Sequence, residues 1–380
     1  MKKIIFIILT LFLGVMSINA EDNLTPKATS SILIEASTGK VLYEKDADKK
    51  LAPASLTKIM TMLLTMESLE SRKINYNDKV LISKNAASMG GSQIFIEANS
   101  RVSVKDLIRG ISIASANDAA VALAEKIGGT EANFINMMND KAKELGLSNT
   151  TFKNPHGLDE DGHMTTARDL SIIAKELVKH EDILKFTSTY EEYMTKPNGE
   201  KFWLVNTNNL IRFYDGMDGL KTGYTPKAGY CLVGTANKND MRLISVVMNE
   251  KEKEDRSSET IALMEYGYSL YGSDILINKN KKLGNIYISN SKNREYPFYL
   301  EEDVKLITKK GNEKVNYTYE IKLENKKAPL KKGEKVGTLI LKTKEGTKNY
   351  NLIVKEEIKK AGYFRLLLNN FKDLVSGNIF

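Results

Sequence analysis

The sequence predicts an α/β region, an antiparallel sheet flanked by helices and carrying a helical lobe, followed by a small all-β domain and a C-terminal amphipathic helix. Three observations predict it. Strand-like runs occur near both ends of residues 31–278 with a long helical-period stretch between them; short β-rich runs with lysine-rich turns occupy residues 279–356; and residues 357–380 place their apolar side chains on one helical face. A length of 380 residues is enough for two or three domains with a sizeable core.

The first twenty residues are expected to be a secretory signal. Lys2 and Lys3 precede an apolar run from Ile4 to Met16, and Ser17-Ile18-Asn19-Ala20 offers a cleavage point after Ala20. That run is short for a membrane span. A polar linker over residues 21–30 leads to Ile32-Leu33-Ile34-Glu35-Ala36 and Lys40-Val41-Leu42-Tyr43, which flank Ser37-Thr38-Gly39 and read as a hairpin. Pro53 opens a helix that is apolar or threonine on nearly every side until Glu67, which describes a core helix. From about Asn85 to Lys179 the pattern is mostly helical. Ser103-Val104-Lys105-Asp106 and Thr166-Ala167-Arg168-Asp169 have the form of capping boxes, and Leu170, Ile173, Ala174 and Leu177 follow at amphipathic spacing.

Strands return at Gly219 to Tyr224, Gly229 to Ala236 and Met241 to Met248, the last two joined by a turn around Asn237-Lys238-Asn239-Asp240, and a helix from about Ser257 to Tyr271 closes the region. One sheet built from both ends of the region, with the helical stretch as an inserted lobe, is the economical assembly, and a cleft between lobe and sheet is its natural pocket. At the end of the chain Phe364, Leu367, Leu368, Phe371, Leu374 and Val375 share a helical face bordered by lysines and an arginine, a pattern suited to lying in a membrane interface or packing on its own domain.

Charge narrows the partners. Net charge is +8, but residues 279–380 hold 23 Lys and Arg against 12 Asp and Glu, a balance of +11, which leaves −3 for residues 1–278. The basic end suits a negative surface such as an anionic membrane. No nucleic-acid-binding motif accompanies it, so nucleic acid is not an expected partner. The single cysteine, Cys231, excludes an internal disulfide and a cysteine-rich metal site; set in an apolar strand, it reads as core.

The chemistry begins at Ser55-Leu56-Thr57-Lys58. A three-residue spacing on a helix stacks the two side chains on one face, so the amine can reach the hydroxyl. Burial without a counter-ion lowers a lysine pKa, and a neutral amine beside a serine is a base beside a nucleophile. A helix cap at Ser55 and a surface lysine at position 58 is the plain alternative. Two further short motifs, Ser115-Ala116-Asn117 between helical runs and Lys221-Thr222-Gly223 in the first returning strand, complete the ordered set S-x-x-K, S-x-N and K-T-G. A Ser-His-Asp hydrolase is disfavoured: only His156, His163 and His180 exist, and no serine sits in a G-x-S-x-G elbow. His156 and His163 flank Asp159 and Asp161, where a polar loop explains them better than a metal site does.

With these motifs the chain resembles the serine D-alanyl-D-alanine carboxypeptidases, the low-molecular-mass penicillin-binding proteins. Ile108-Arg109-Gly110-Ile111, Asn154-Pro155-His156-Gly157-Leu158 and Lys221-Thr222-Gly223-Tyr224-Thr225 extend the likeness. The resemblance implies a catalytic domain of β-lactamase/transpeptidase-like type, a β-rich second domain and an anchoring C-terminal helix, on the outer face of a bacterial cytoplasmic membrane. It implies that Ser55 is acylated, Lys58 is its base, and Ser115 and Lys221 relay the proton to the leaving D-alanine. Asn117 would bind the peptide amide, Thr222 and Arg256 the terminal carboxylate, with Gly223 on the same substrate strand, and the N–H groups of Ser55 and Tyr224 would form the oxyanion hole. The substrate would be a peptidoglycan pentapeptide ending in D-Ala-D-Ala, β-lactams would be acylating inhibitors, and no metal or cofactor is called for. Arg256 has a plain alternative as part of the solvated run Lys251 to Arg256.

Two other readings use the same residues. A class A β-lactamase would need a glutamate to prepare the deacylating water, and no Glu-x-x-Leu-Asn segment lies between Asn117 and Lys221. A wall-binding scaffold with a retired site is opposed by the intact Ser55, Lys58, Ser115, Asn117 and Lys221.

Overall fold

The structure is a computed structural model, and it describes residues 23–311, 316–344 and 346–368. The expected signal segment 1–20 and the end of the C-terminal helix, 369–380, lie outside the described residues.

β1 (Ser30–Glu35) and β2 (Val41–Lys45) form the hairpin. Glu35 holds its turn by accepting from the N–H groups of Ser37 (3.0 Å) and Thr38 (2.7 Å). A short 3-10 turn, Ala54–Thr57, runs into α1 (Lys58–Glu70). β3 (Lys79–Leu81) and β4 (Arg101–Ser103) pair across α2 (Lys84–Ala87). α3 (Val104–Ala114), α4 (Asn117–Gly128), α5 (Glu131–Glu144), α6 (Ala167–Leu177) and α7 (Asp182–Thr187) continue the helical part. The hairpin β5 (Glu191–Thr195) and β6 (Lys201–Val205) and the short α8 (Leu210–Phe213) lead to β7 (Met217–Thr225), β8 (Gly229–Lys238), β9 (Met241–Glu250) and α9 (Lys253–Leu270).

The five-stranded antiparallel sheet has the order β2-β1-β9-β8-β7, so strands from both ends of the region do share one sheet. Its pleat feeds two cores. Ile32, Ile34, Val233, Ile244 and Val246 face α1, α3, α4 and α6, while Leu33, Leu232, Leu243 and Val247 face α9. Covering both faces is why β1 is buried along its whole length and shows no polar alternation. Each fully buried Leu, Ile or Met contributes about 1.5–3 kcal/mol, and α1 buries Ile59, Met60, Met62, Leu63, Leu64 and Met66 around its circumference. Ser103 and Thr166 cap α3 and α6, their side chains accepting from the N–H groups of Asp106 and Asp169.

Within residues 23–270 the structure differs from the sequence reading in three places. The segment from Leu24 to Thr29 is tied down: Thr25 and Ala28 are buried, and Glu259 accepts from the N–H groups of Lys27 (2.8 Å) and Ala28 (3.0 Å). The stretch between Asn85 and Lys179 also contains β4 and a long irregular run between α5 and α6. The β8–β9 connection shrinks to Asn239 and Asp240, both at positive φ (51° and 58°), the backbone that a two-residue hairpin turn needs.

The all-β part contains β10 (Tyr271–Ile277), β11 (Gly284–Ser289), β12 (Glu295–Leu300), β13 (Val304–Lys309), β14 (Tyr317–Leu323), β15 (Lys326–Lys327), β16 (Lys335–Thr343) and β17 (Gly346–Ile353). β10 pairs with β13, across the 278/279 division expected from composition. The other six strands form one sheet over a separate apolar core of Ile288, Phe298, Val336, Leu339 and Leu352 among others. Residues 363–368 are helical, with Tyr363, Phe364, Leu367 and Leu368 exposed.

Candidate active site

Ser55 lies in the 3-10 turn that precedes α1, one turn ahead of Lys58. The preceding residue, Ala54, takes φ 47°, a left-handed conformation that costs an L-residue roughly 1–2 kcal/mol. Two contacts enforce it. Thr57 Oγ1 donates to the Ala54 carbonyl at 2.8 Å, and Gly157, at φ 92°, approaches so closely that a Cβ there would fall 1.8 Å from the same oxygen. Only glycine fits at position 157.

Lys58 is fully buried, and its Nζ lies 2.8 Å from Ser55 Oγ, 2.7 Å from Asn117 Oδ1 and 2.7 Å from the His156 carbonyl. The last two atoms can only accept. A neutral amine therefore uses both N–H bonds on them and turns its lone pair to the serine hydroxyl. Burial holds the Lys58 pKa well below 10.5, and the nearby charge of Lys221 lowers it further.

Asn117 stands at the start of α4, immediately after the break that Ser115 makes in the helical path at φ 61°. Its Nδ2 donates to the Gly90 carbonyl at 2.7 Å and keeps a second N–H. Ser115 is buried, and its hydroxyl makes no hydrogen bond to another described residue. Asp118 is turned away from the cleft, accepting from the N–H groups of Ile94 and Ile96.

The opposite wall is β7, the edge strand of the sheet. Gly223 packs directly on the serine turn: a Cβ would meet the Pro53 carbonyl at 3.1 Å and the Ser55 nitrogen at 3.2 Å. This contact is why the third residue of the K-T-G run carries no side chain. Lys221 is buried and donates to the Thr222 carbonyl at 3.0 Å. Burial, with Arg256 beside it, pulls its pKa down to about 7. Thr222 Oγ1 bonds Thr207 Oγ1 at 2.6 Å, and Tyr224 is exposed and lies against the Tyr230 ring.

Arg256 is not part of a solvated charge run. It is 3% exposed, its Nε has no partner among the described residues, and burial lowers its pKa. A guanidinium held this way beside Lys221 is a site awaiting an anion. His156 and His163 serve the loop: His156 Nδ1 accepts from the Leu158 N–H at 3.1 Å, and His163 contacts Thr57 Oγ1 at 2.7 Å and accepts from the Lys153 N–H at 3.0 Å. Burial first, then the nearby Lys58 and His163 side chains, pushes His156 down to about 3; burial likewise pushes His163 to about 4. Cys231 is buried opposite Gly223 on β8, and burial pushes its thiol up to about 12.

Ser55, Lys58 and Asn117 are thus joined by direct hydrogen bonds, and Gly223 packs on the serine turn. Lys221 lies near enough to Lys58 to lower its pKa, and Arg256 near enough to Lys221 to lower that one in turn. The sequence reading missed the His156 carbonyl, Gly157, Thr207 and the Gly90 strap. The first two lie in the Asn154–Leu158 stretch already singled out, but a backbone carbonyl has no residue-type signal.

A serine whose hydroxyl faces a buried, neutral lysine beside a pair of cations defines an acyl-transfer site for substrates with a terminal carboxylate. The family profile described as D-alanyl-D-alanine carboxypeptidase matches residues 17–252, and the one described as penicillin-binding protein 5, C-terminal domain, matches residues 271–360. The chain belongs to the D-alanyl-D-alanine carboxypeptidase family. It is 47% identical over 353 residues to D-alanyl-D-alanine carboxypeptidase DacF of Bacillus subtilis, covering 92% of this chain and 90% of the relative. Among solved structures, penicillin binding protein 5 from Haemophilus influenzae matches with a TM-score of 0.69 at 31% identity, over 88% of this chain and 98% of that one. Penicillin-binding protein D2 from Listeria monocytogenes, solved in its cefotaxime-bound form, matches with a TM-score of 0.58 at 36% identity, over 64% and 97%.

Proposed function

We propose that Ser55 is the acylated nucleophile with which this carboxypeptidase removes the terminal D-alanine from wall pentapeptides. The observation that carries this reading is the Lys58 amine, buried and 2.8 Å from Ser55 Oγ, with its two N–H bonds taken by obligate acceptors. Ser55 Oγ attacks the carbonyl carbon of the penultimate D-alanine as Lys58 takes its proton. The oxyanion sits on the N–H groups of Ser55 and Tyr224; fixed donors of this kind are worth about 3–4 kcal/mol each. The C–N bond then breaks, the proton passes through Ser115 and Lys221 to the leaving amine, and water cleaves the ester. Asn117 offers its second Nδ2 N–H to the peptide, and Thr222, Lys221 and Arg256 receive the terminal carboxylate. A β-lactam enters by the same attack, but its leaving amine stays tethered.

The protein is expected to release free D-alanine from a synthetic pentapeptide ending in D-Ala-D-Ala. Rapid turnover of a β-lactam with no D-alanine release would overturn this reading in favour of a β-lactamase.

The enzyme works on the outer face of the cytoplasmic membrane, exported by residues 1–20 and held by the C-terminal helix, which starts at Tyr363 and not at residue 357 as expected, because Ile358 and Lys360 pair with Leu330 and Ser291 of the β domain. The exposed Tyr363, Phe364, Leu367 and Leu368 and the basic β domain support a helix lying in the interface. No helix among the described residues is long and apolar enough to cross a membrane. Truncation before Lys359 is expected to move the protein from the membrane pellet to the supernatant; continued sedimentation would contradict the anchor.

A further inference from the structure

The β5–β6 hairpin carries two aromatic rings on its solvent face. Tyr193 and Trp203 pair directly across the strands, with ring planes 23° apart and centroids 6.5 Å apart, and they stay 64% and 55% exposed. Trp203 is the only tryptophan in the chain. Single exposed apolar residues are common, but two large rings side by side form a contiguous patch of the kind that marks an interaction site.

This surface is held from beneath. Strand alternation puts Met194 and Leu204 on the opposite face, where both are buried in the catalytic core. Arg109 on α3 donates to the Glu192 carboxylate at 2.5 Å and to the Tyr193 carbonyl at 3.1 Å. A platform fixed before its ligand arrives loses little freedom on binding. Its position matters as much as its stiffness. β6 runs into Asn206 and Thr207, and Thr207 Oγ1 accepts from Thr222 Oγ1 on the substrate strand at 2.6 Å. Thr207 is four residues beyond Trp203, a span of at most roughly 14 Å, whereas an extended pentapeptide spans roughly 18 Å. A peptide whose terminal carboxylate sits at Thr222 is therefore long enough to bring the group at its other end onto these rings.

The surroundings of the rings point to a sugar. A pyranose presents a flat patch of C–H groups with hydroxyls around its edge, and that patch packs on the electron-rich face of an aromatic ring. The same face of the hairpin carries Thr195 and Lys201 at one end and Glu191 at the other, all exposed, which supply donors and acceptors for hydroxyl and amide groups. One charge of each sign gives that face no net pull on a phosphate polymer or an anionic lipid surface. Resting on the reading that the substrate is a wall pentapeptide, whose other end is joined to a glycan, we propose that the Tyr193–Trp203 platform binds a sugar ring of that glycan while the peptide terminus lies at Ser55.

The test compares the full chain with a Tyr193→Thr/Trp203→Thr double variant, with Trp203→Phe, and with a Phe213→Thr control that removes a ring 71% exposed on α8. Threonine keeps the strand propensity of the two positions. D-alanine release is measured from a free pentapeptide and from the same pentapeptide joined to an N-acetylated disaccharide. Wild type, Trp203→Phe and the control are expected to show a KM about tenfold lower for the disaccharide substrate, a difference of about 1.4 kcal/mol. The double variant should show one KM for both substrates and wild-type kcat/KM on the free pentapeptide. Separately, an N-acetylglucosamine tetramer should change the Trp203 emission saturably in wild type and in Ser55→Ala. That titration needs no turnover, so failure to release D-alanine from either substrate would overturn the proposed reaction, and unchanged emission would overturn the platform. An undiminished preference in the double variant, no preference in wild type, or an equal loss in the control also overturns it. So does emission that answers phosphatidylglycerol vesicles and not the tetramer. Losses on both substrates alike in the double variant, with a lower thermal midpoint, would reduce the rings to a staple for the hairpin.

Discussion

Replacing Lys58 with arginine is expected to lower kcat/KM for D-alanine release by about 10³-fold, close to 4 kcal/mol of transition-state stabilisation. The substitution replaces the neutral base with a permanently charged group, because a guanidinium does not deprotonate at working pH. The size follows from the setting: among the described residues Lys58 Nζ is the one group bonded to Ser55 Oγ, and the Asn117 and His156 oxygens hold it there. The pH profile carries the same claim. Lys58 is reactive when unprotonated, so kcat/KM should climb tenfold per unit on the acid side and level off above its pKa. Because burial and then Lys221 lower that pKa, the plateau should begin well below pH 10.5. Neutralising Lys221 as Lys221→Gln should move the acid limb upward, since it removes the cation that holds Lys58 down. Wild-type-like kcat/KM in Lys58→Arg would remove the lysine from the reaction.

Arg256→Gln is expected to cost about 30- to 5,000-fold in kcat/KM toward D-Ala-D-Ala peptides, the range found when one partner of a buried charge pair is removed. Substrates with an amidated C-terminus should be hardly affected, because they bring no carboxylate. Stability should behave differently from activity. The guanidinium is buried with an Nε that has no partner among the described residues, so the folded chain carries a charge that Glu254 offsets only in part until substrate arrives. Its removal should therefore leave the thermal midpoint unchanged or raise it. A lower midpoint with equal losses on amidated and free peptides would mean that Arg256 serves only the packing of α9.

Much of this arrangement was legible because it depends on residue type and spacing. The hairpin turn, the two capped helices and the three strands β7, β8 and β9 follow from local pattern, and the Ser55–Lys58 pair follows from helical spacing with an apolar surround. What stayed hidden depends on backbone atoms and long-range contact. The His156 carbonyl that orients Lys58 comes from 98 residues further along the chain, and nothing in a side-chain pattern announces it. Gly157 and Gly223 are glycines because Ala54 and Ser55 lie against them, a demand visible only once the loop and β7 meet the serine turn. Arg256 was ambiguous since the residues before it are charged; the first turn of α9 buries it alone while Lys251 to Glu254 stay exposed. The segment before β1 looked like a linker because its residues are polar, yet Glu259 caps its backbone N–H groups from α9.

Ser55 as the acylated residue is tested most directly by the intact mass of the protein after exposure to a β-lactam. Wild type is expected to gain the mass of one drug molecule and lose it slowly, Lys58→Arg to gain it far more slowly, and Ser55→Ala to gain nothing. An adduct of one drug mass that persists in Ser55→Ala, or its absence from folded wild-type protein, would contradict the account.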